Sequence, residues 1–196
     1  MGTMRKVKRD DVIEAVLEII LEDGPDKVGA IAVARKLGTA PQIPYKFFTG
    51  REEMLDAALQ AIQQSVVGSL LSAERHAKTP LEALRIFINQ GAELMPFISV
   101  IPRLLISSQG GGDSLSALAR RVGEREAEME RHIRRILTEA QADGQVRHDI
   151  APHEMSRAFL GCALQMYNHW ARSNGQVNVK AEVEAVWEQF HTKVAT

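Results

Sequence analysis

Apolar residues recur at helical spacing almost from one end of this chain to the other, and no useful length alternates apolar with polar as a half-buried strand does. That periodicity restricts the 196 residues to an all-α architecture. A first helix is predicted from about Asp10 to Asp23, with Val12, Ile13, Val16, Ile19 and Ile20 on one stripe. Gly24 and Pro25 end it, and Asp10, Asp11 and Glu14 suit the positive end of its dipole. Two short helices are expected next, about Val28 to Leu37 and about Pro41 to Phe47, separated by Gly38-Thr39-Ala40. Beyond them lies a charged helix start at Arg51-Glu52-Glu53-Met54, carrying Leu55, Ala58, Ile62, Val66 and Leu70 to about His76. A short helix, a glycine turn and a second short helix ahead of such a start is the layout of a helix-turn-helix.

The rest of the chain reads as larger helices. Thr79 caps and Pro80 opens a helix through Leu84 and Ile88 to Leu94, and Pro96 and Pro102 break or kink the apolar piece after it. Ser107 to Gly112, with three consecutive glycines, is read as a flexible loop. Asp113 or Ser114 then starts a long helix to about Asp143, with Leu115, Leu118, Val122, Met129, Ile133, Ile136 and Ala140 on one stripe. Its other faces pair Arg120 with Glu124 and Glu130 with Arg134. Gly144 to Pro152 is a stop, an extended connector and a restart. The last two helices, Pro152 to about Ser173 and one bearing Val183, Val186, Trp187, Phe190 and Val194, are apolar enough to form core plus a subunit interface. The boundary is placed so that 1–50 is a helix-turn-helix DNA-binding domain and 51–196 a larger helical domain.

Charge limits the function. The net charge of −1 gives no global field for nucleic acid, so any DNA binding must come from a local patch. Arg5, Lys6, Lys8 and Arg9 precede every acid and form the one dense positive cluster. Cys162 is the sole cysteine, which excludes an intrachain disulfide framework. No signal-peptide core and no run near the ~20 apolar residues of a membrane helix is present, so a soluble cytoplasmic protein without membrane contact is expected. The six histidines show no zinc spacing, and no nucleophile or phosphate-loop motif occurs. Neither a metal nor a cofactor is expected, and an enzyme is disfavoured.

The first 55 or so residues resemble the N-terminal domain of the TetR (tetracycline-repressor-like) family of transcriptional regulators. The resemblance rests on Arg9, the I-x-A-V-x-x-I-I-x-E-x-G run from Ile13 to Gly24, Val33-Ala34, Leu37-Gly38, Tyr45, Phe48 and Arg51-Glu52-Glu53-Met54, all without a gap. The G-x-V-R-x-D-I-x-P segment from Gly144 resembles the C-terminal domain more weakly. The resemblance implies an all-α homodimer joined through the last two helices, a recognition helix in the major groove of a double-stranded operator, and release by a small hydrophobic effector, which makes 51–196 a helical effector-binding and dimerisation domain. Two departures stand out. Val28-Gly29-Ala30 replaces the family's usual threonine, and Pro41 and Pro44 both fall in the recognition segment, where Pro44 should distort the first turn. Thr39 with Gln42 is read as a capping box that partly offsets this.

Candidate DNA contacts are Arg5, Lys6, Lys8, Arg9, Lys27, Arg35 or Lys36, Thr39, Pro41, Gln42, Ile43, Tyr45 and Lys46. Gln42 suits adenine and Ile43 a thymine methyl, while Thr39, Tyr45 and the cations suit phosphates. Tyr45 has an alternative as a buried packing residue. Candidate effector walls are Met95, Phe97, Ile98, Ile101, Leu105, Met129, Phe159, Met166 and Trp170. Arg103, Arg125, His132, Asn168 and His169 are the polar groups near them. The rival function is an apolar-ligand carrier of the same fold whose DNA binding is weakened or lost.

Overall fold

The computed structural model describes residues 6–98, 101, 113–173 and 176–196, with the backbone alone for 113–119. Arg5, Arg103, Leu105 and the triple-glycine loop therefore lie outside the described residues. Among the described residues the chain forms seven α-helices, two 3-10 turns and no strand. The helices are α1 (Arg9–Glu22), α2 (Ala30–Lys36), α3 (Arg51–His76), α4 (Pro80–Ile98), α5 (Asp113–Ala142), α6 (Pro152–Arg172) and α7 (Val179–Val194). The chain divides into two compact units, Met1–Ile62 with Val100–Ala119, and Gln63–Ser99 with Arg120–Thr196.

In the first unit α1 buries Val12, Ile13, Ala15, Val16, Ile19 and Ile20 on one face, as its periodicity demands. Val33, Ala34, Phe48, Met54 and Leu59 are buried in the same unit. Each large side chain so removed from water contributes roughly 1.5–3 kcal/mol. The Asp11 carboxylate caps α1 by accepting from the Lys8 backbone N–H at 2.7 Å. The Arg9 guanidinium lies 4.9 Å from the centre of the buried Phe48 ring, which fastens the start of α1 to the segment ahead of α3. Arg51 donates to the Pro25 carbonyl at 3.1 Å and lies 3.6 Å from Asp26, anchoring the start of α3 to the 3-10 turn Pro25–Lys27.

The end of α2 explains the glycine of the helix-turn-helix. Gly38 takes φ +63°, a left-handed value that a side chain disfavours. This lets Thr39 N–H reach the Ala34 carbonyl at 2.9 Å and Gly38 N–H the Arg35 carbonyl at 3.2 Å. Both bonds together make a Schellman cap. Beyond the cap the structure departs from the expected second short helix: 41–47 is not an α-helix but a turn leading into the 3-10 turn Pro44–Lys46. Pro44 lacks the N–H that would close an i→i−4 bond to Ala40, so a helix opened at Pro41 loses its first rung. The available donors close shorter rings instead, Ile43 to Ala40 at 3.0 Å and Lys46 to Ile43 at 3.1 Å. Nor does the Thr39–Gln42 capping box form, since the Thr39 hydroxyl is buried without a hydrogen-bond partner.

In the second unit one apolar core joins α4, α5, α6, α7 and the end of α3. Phe159 sits in it with its ring 5.1 Å from Phe190, edge to face, and 6.3 Å from Phe87. Thr79 caps α4 through its hydroxyl, which accepts from Glu82 N–H at 3.2 Å, as the sequence predicts. Pro96 is accommodated inside α4, which continues to Ile98. α5 is followed by another glycine of positive φ, Gly144, and the connector after it is pinned by the Gln141 amide, which donates to the Arg147 and Ile150 carbonyls at 2.8 and 3.1 Å. Arg120 meets Glu124 at 2.6 Å as expected, but Glu130 lies 3.6 Å from Arg157 of α6 instead of pairing with Arg134. A contact across helices thus replaces one predicted along a helix.

Candidate nucleic-acid interface

Four side chains of the turn region face water. Pro41, Gln42, Tyr45 and Lys46 are exposed, Ile43 is half-buried, and Pro44 is buried as a plug beneath the turn. Tyr45 is 60% exposed, which rules out its reading as a buried packing residue. Its ring lines an open groove of about 570 Å³ with Asp23, Lys27, Gly29, Ala30, Ile31, Ala32 and Arg35. Ile31 is 76% exposed in that groove. The groove thus combines an exposed isoleucine and tyrosine with two cations, Lys27 and Arg35, and one carboxylate, Asp23.

The cations divide into two groups. Lys27, Arg35 and Lys46 are exposed and make no ion pair among the described residues. Lys36 is different: its ammonium donates to both Glu22 carboxylate oxygens at 2.7 and 2.8 Å and lies 3.2 Å from Glu18. Those bonds, Glu22 first and then Glu18, raise its pKa. Lys36 therefore serves to staple α2 to α1, and of the two alternatives at 35–36 it is Arg35 that is left open to a phosphate. Thr39 is likewise removed as a phosphate ligand, because its hydroxyl points inward. Lys6 and Lys8 are exposed, and Arg9 is exposed while resting on Phe48.

Gly29 stands at the N-cap of α2 with extended backbone and no side-chain cap, and a Cβ there would meet open space. Its lack of a side chain is thus not forced by packing. At the foot of the same unit, Glu53 accepts from the Thr49 N–H at 2.6 Å and hydroxyl at 2.8 Å, which lowers its pKa and fixes the start of α3.

The proposed effector walls are mostly interior. Met95, Met129, Phe159 and Met166 are buried core residues, whereas Phe97, Ile98, Ile101, Arg125 and Trp170 are half-buried. Of the polar candidates, His132 and Asn168 are half-buried and His169 is exposed, with its Nδ1 3.0 Å from Glu182 on α7. A residue that the sequence placed only on an apolar face is Tyr167. Its hydroxyl sits 3.1 Å from where a Cβ on Gly91 would be, and burial pushes its pKa up to about 12. The pairing of Tyr167 with a glycine 76 positions earlier is tertiary, so no local pattern signals it. Among the described residues no group of three or more His, Cys, Asp or Glu is gathered for a metal, and no helix is long and apolar enough to cross a membrane.

A small α-helical unit with a glycine-capped turn and an exposed polar edge, together with a larger helical unit, is the architecture of helix-turn-helix regulators. Residues 91–181 match the family of C-terminal domains of SbtR-like transcriptional regulators. The fold superposes on a TetR transcription regulator from Haloarcula marismortui with a TM-score of 0.78 at 12% identity, covering 96% of this chain and 98% of that one. It also superposes on the fatty acid degradation regulator FadR from Bacillus halodurans, TM-score 0.76 at 20% identity over 96% of each chain. The HTH-type transcriptional regulator BetI of Rhizobium meliloti is 26% identical over 85 residues, which is 43% of this chain and 42% of that protein's length. Residues 91–181 thus match a TetR-type C-terminal domain, and the fold of the chain is that of the TetR-family regulator structures on which it superposes.

Proposed function

We propose that the chain is a DNA-binding transcription regulator that works as a homodimer through α6 and α7, a repressor released by a small hydrophobic effector held in the 51–196 domain. The observation that carries the DNA-binding part is the exposed edge Gln42, Tyr45 and Lys46 beside a groove rimmed by Lys27 and Arg35. The cations supply sequence-independent attraction to phosphates, and Gln42 supplies an amide to a base edge. Dimerisation is supported by Leu164, 53% exposed on α6, with Leu160 and Tyr167 half-buried one turn to either side. A hydrophobic effector is supported by the apolar character of the candidate walls Met95, Phe97, Ile98, Met129, Phe159, Met166 and Trp170, with Arg125 as a polar group among the candidates. The relation in fold to a regulator of fatty acid degradation is in keeping with such a ligand.

The carrier reading draws on the turn itself: with Thr39 turned inward, Lys36 paired to acids and no α-helix at 41–47, the reading surface is small. A gel-shift titration against the DNA flanking the protein's own gene separates the two. Salt-sensitive, sequence-preferring binding below micromolar protein is expected; none at micromolar protein would favour the carrier.

A further inference from the structure

The 39–47 segment offers very few groups to a base. Thr39's hydroxyl is buried, Ala40 and Pro41 are exposed but apolar, Pro44 is buried, and Ile43 and Phe47 are half-buried. Three exposed hydrogen-bonding side chains remain, Gln42, Tyr45 and Lys46. Tyr45 lines the groove that Lys27 and Arg35 also line, and a phenol hydroxyl beside two cations suits a phosphate better than a base edge. Lys46 has donors only and acts as a point charge, for which phosphate is the ordinary partner. Gln42 alone presents a donor and an acceptor in one planar amide, the complement of adenine N7 and N6.

Backbone geometry narrows the choice further. An α-helix in the major groove sets residues of several successive turns against the bases, whereas this head supplies a single 3-10 turn, Pro44–Lys46, preceded by a turn centred on Gln42.

We propose that Gln42 is the specificity-determining residue of this chain: it reads one adenine in each half-site, and the remaining affinity of the described head comes from phosphate contacts. This assignment rests on the DNA-binding function proposed for the chain. The test is selection of duplexes from a randomised library by the full chain and its variants, with affinities then measured on the enriched sequence. The wild type is expected to enrich one strongly preferred A·T pair per half-site. Q42A is expected to keep salt-sensitive binding while its discrimination at that pair, about 5- to 150-fold in the wild type, falls to near unity. Q42E is expected to move the preference toward C·G, because a carboxylate accepts from cytosine N4. K46A should weaken binding to every duplex alike and retain the adenine. An unchanged motif in Q42A, or loss of the adenine in K46A, overturns the assignment while DNA binding stands. Failure of the wild type to bind any duplex in a salt-sensitive manner overturns the DNA-binding function itself.

Discussion

The division of the cations into exposed and acid-paired groups has a measurable consequence in the salt dependence of the proposed DNA binding. Each Lys or Arg that neutralises a phosphate steepens the slope of log K against log salt by about 0.9. Lys6, Lys8, Lys27, Arg35 and Lys46 are exposed in the first unit, whereas Lys36 is held by Glu22 and Glu18 and Arg51 by Pro25 and Asp26. Were all five of the first group to touch phosphates, they would contribute about 4.5 to the slope per protomer. Replacing Lys27, Arg35 or Lys46 by alanine is expected to flatten the slope by about 0.9 per protomer, hence about 1.8 in a dimer. Over a fourfold rise in salt that is roughly 3.5-fold in affinity per contact. K36A should leave the slope unchanged and cost stability only on the scale of a surface pair, up to about 1 kcal/mol. Fluorescence anisotropy of a labelled duplex over a salt series reads these slopes. A K36A slope as flat as that of K27A would sink the division, for it would show the Lys36 ammonium bound to phosphate and not to its two glutamates.

Packing and caps set three further expectations. G91A gains about 1 kcal/mol of helix propensity but crowds the Tyr167 hydroxyl at 3.1 Å, so in urea unfolding it should be more favourable in a Y167F background than in the wild type by about 1 kcal/mol. Equal effects in both backgrounds would dissolve the proposed contact. G38A should cost about 1–2 kcal/mol, because φ +63° is a left-handed conformation, and a neutral result would place the turn elsewhere in φ. The depressed pKa of Glu53 means that its contribution is present above the ordinary carboxylate range and lost as pH falls through its lowered folded value. E53Q should accordingly flatten the acid limb of the stability curve, and an unaltered acid limb would count against the Thr49 contacts.

Sequence legibility tracked the range of the interaction. Periodicity located the long helices because burial acts on every turn, and Gly38, Thr79 and Pro80 were readable because caps are local. The recognition segment was only half readable. The prolines announced distortion, but loss of the whole α-helix depends on where the free donors at Ile43 and Lys46 find carbonyls. Lys36 and Glu22 lie 14 residues apart, and Glu130 meets Arg157 rather than its helical neighbour. Composition gave no sign of which cations would be taken by acids. Gln42 and Lys46, named as candidates from the sequence, are exposed on the turn, whereas Thr39 looked the same in sequence and its hydroxyl is buried.

Whether the 27–46 surface is where DNA binds can be read from hydrogen exchange of the full chain, followed by mass spectrometry with and without a duplex it binds. DNA is expected to slow exchange in peptides covering 27–46, with little change in α6 and α7. Protection confined to other regions, or no protection of 27–46 under saturating duplex, would show that DNA does not bind through this surface.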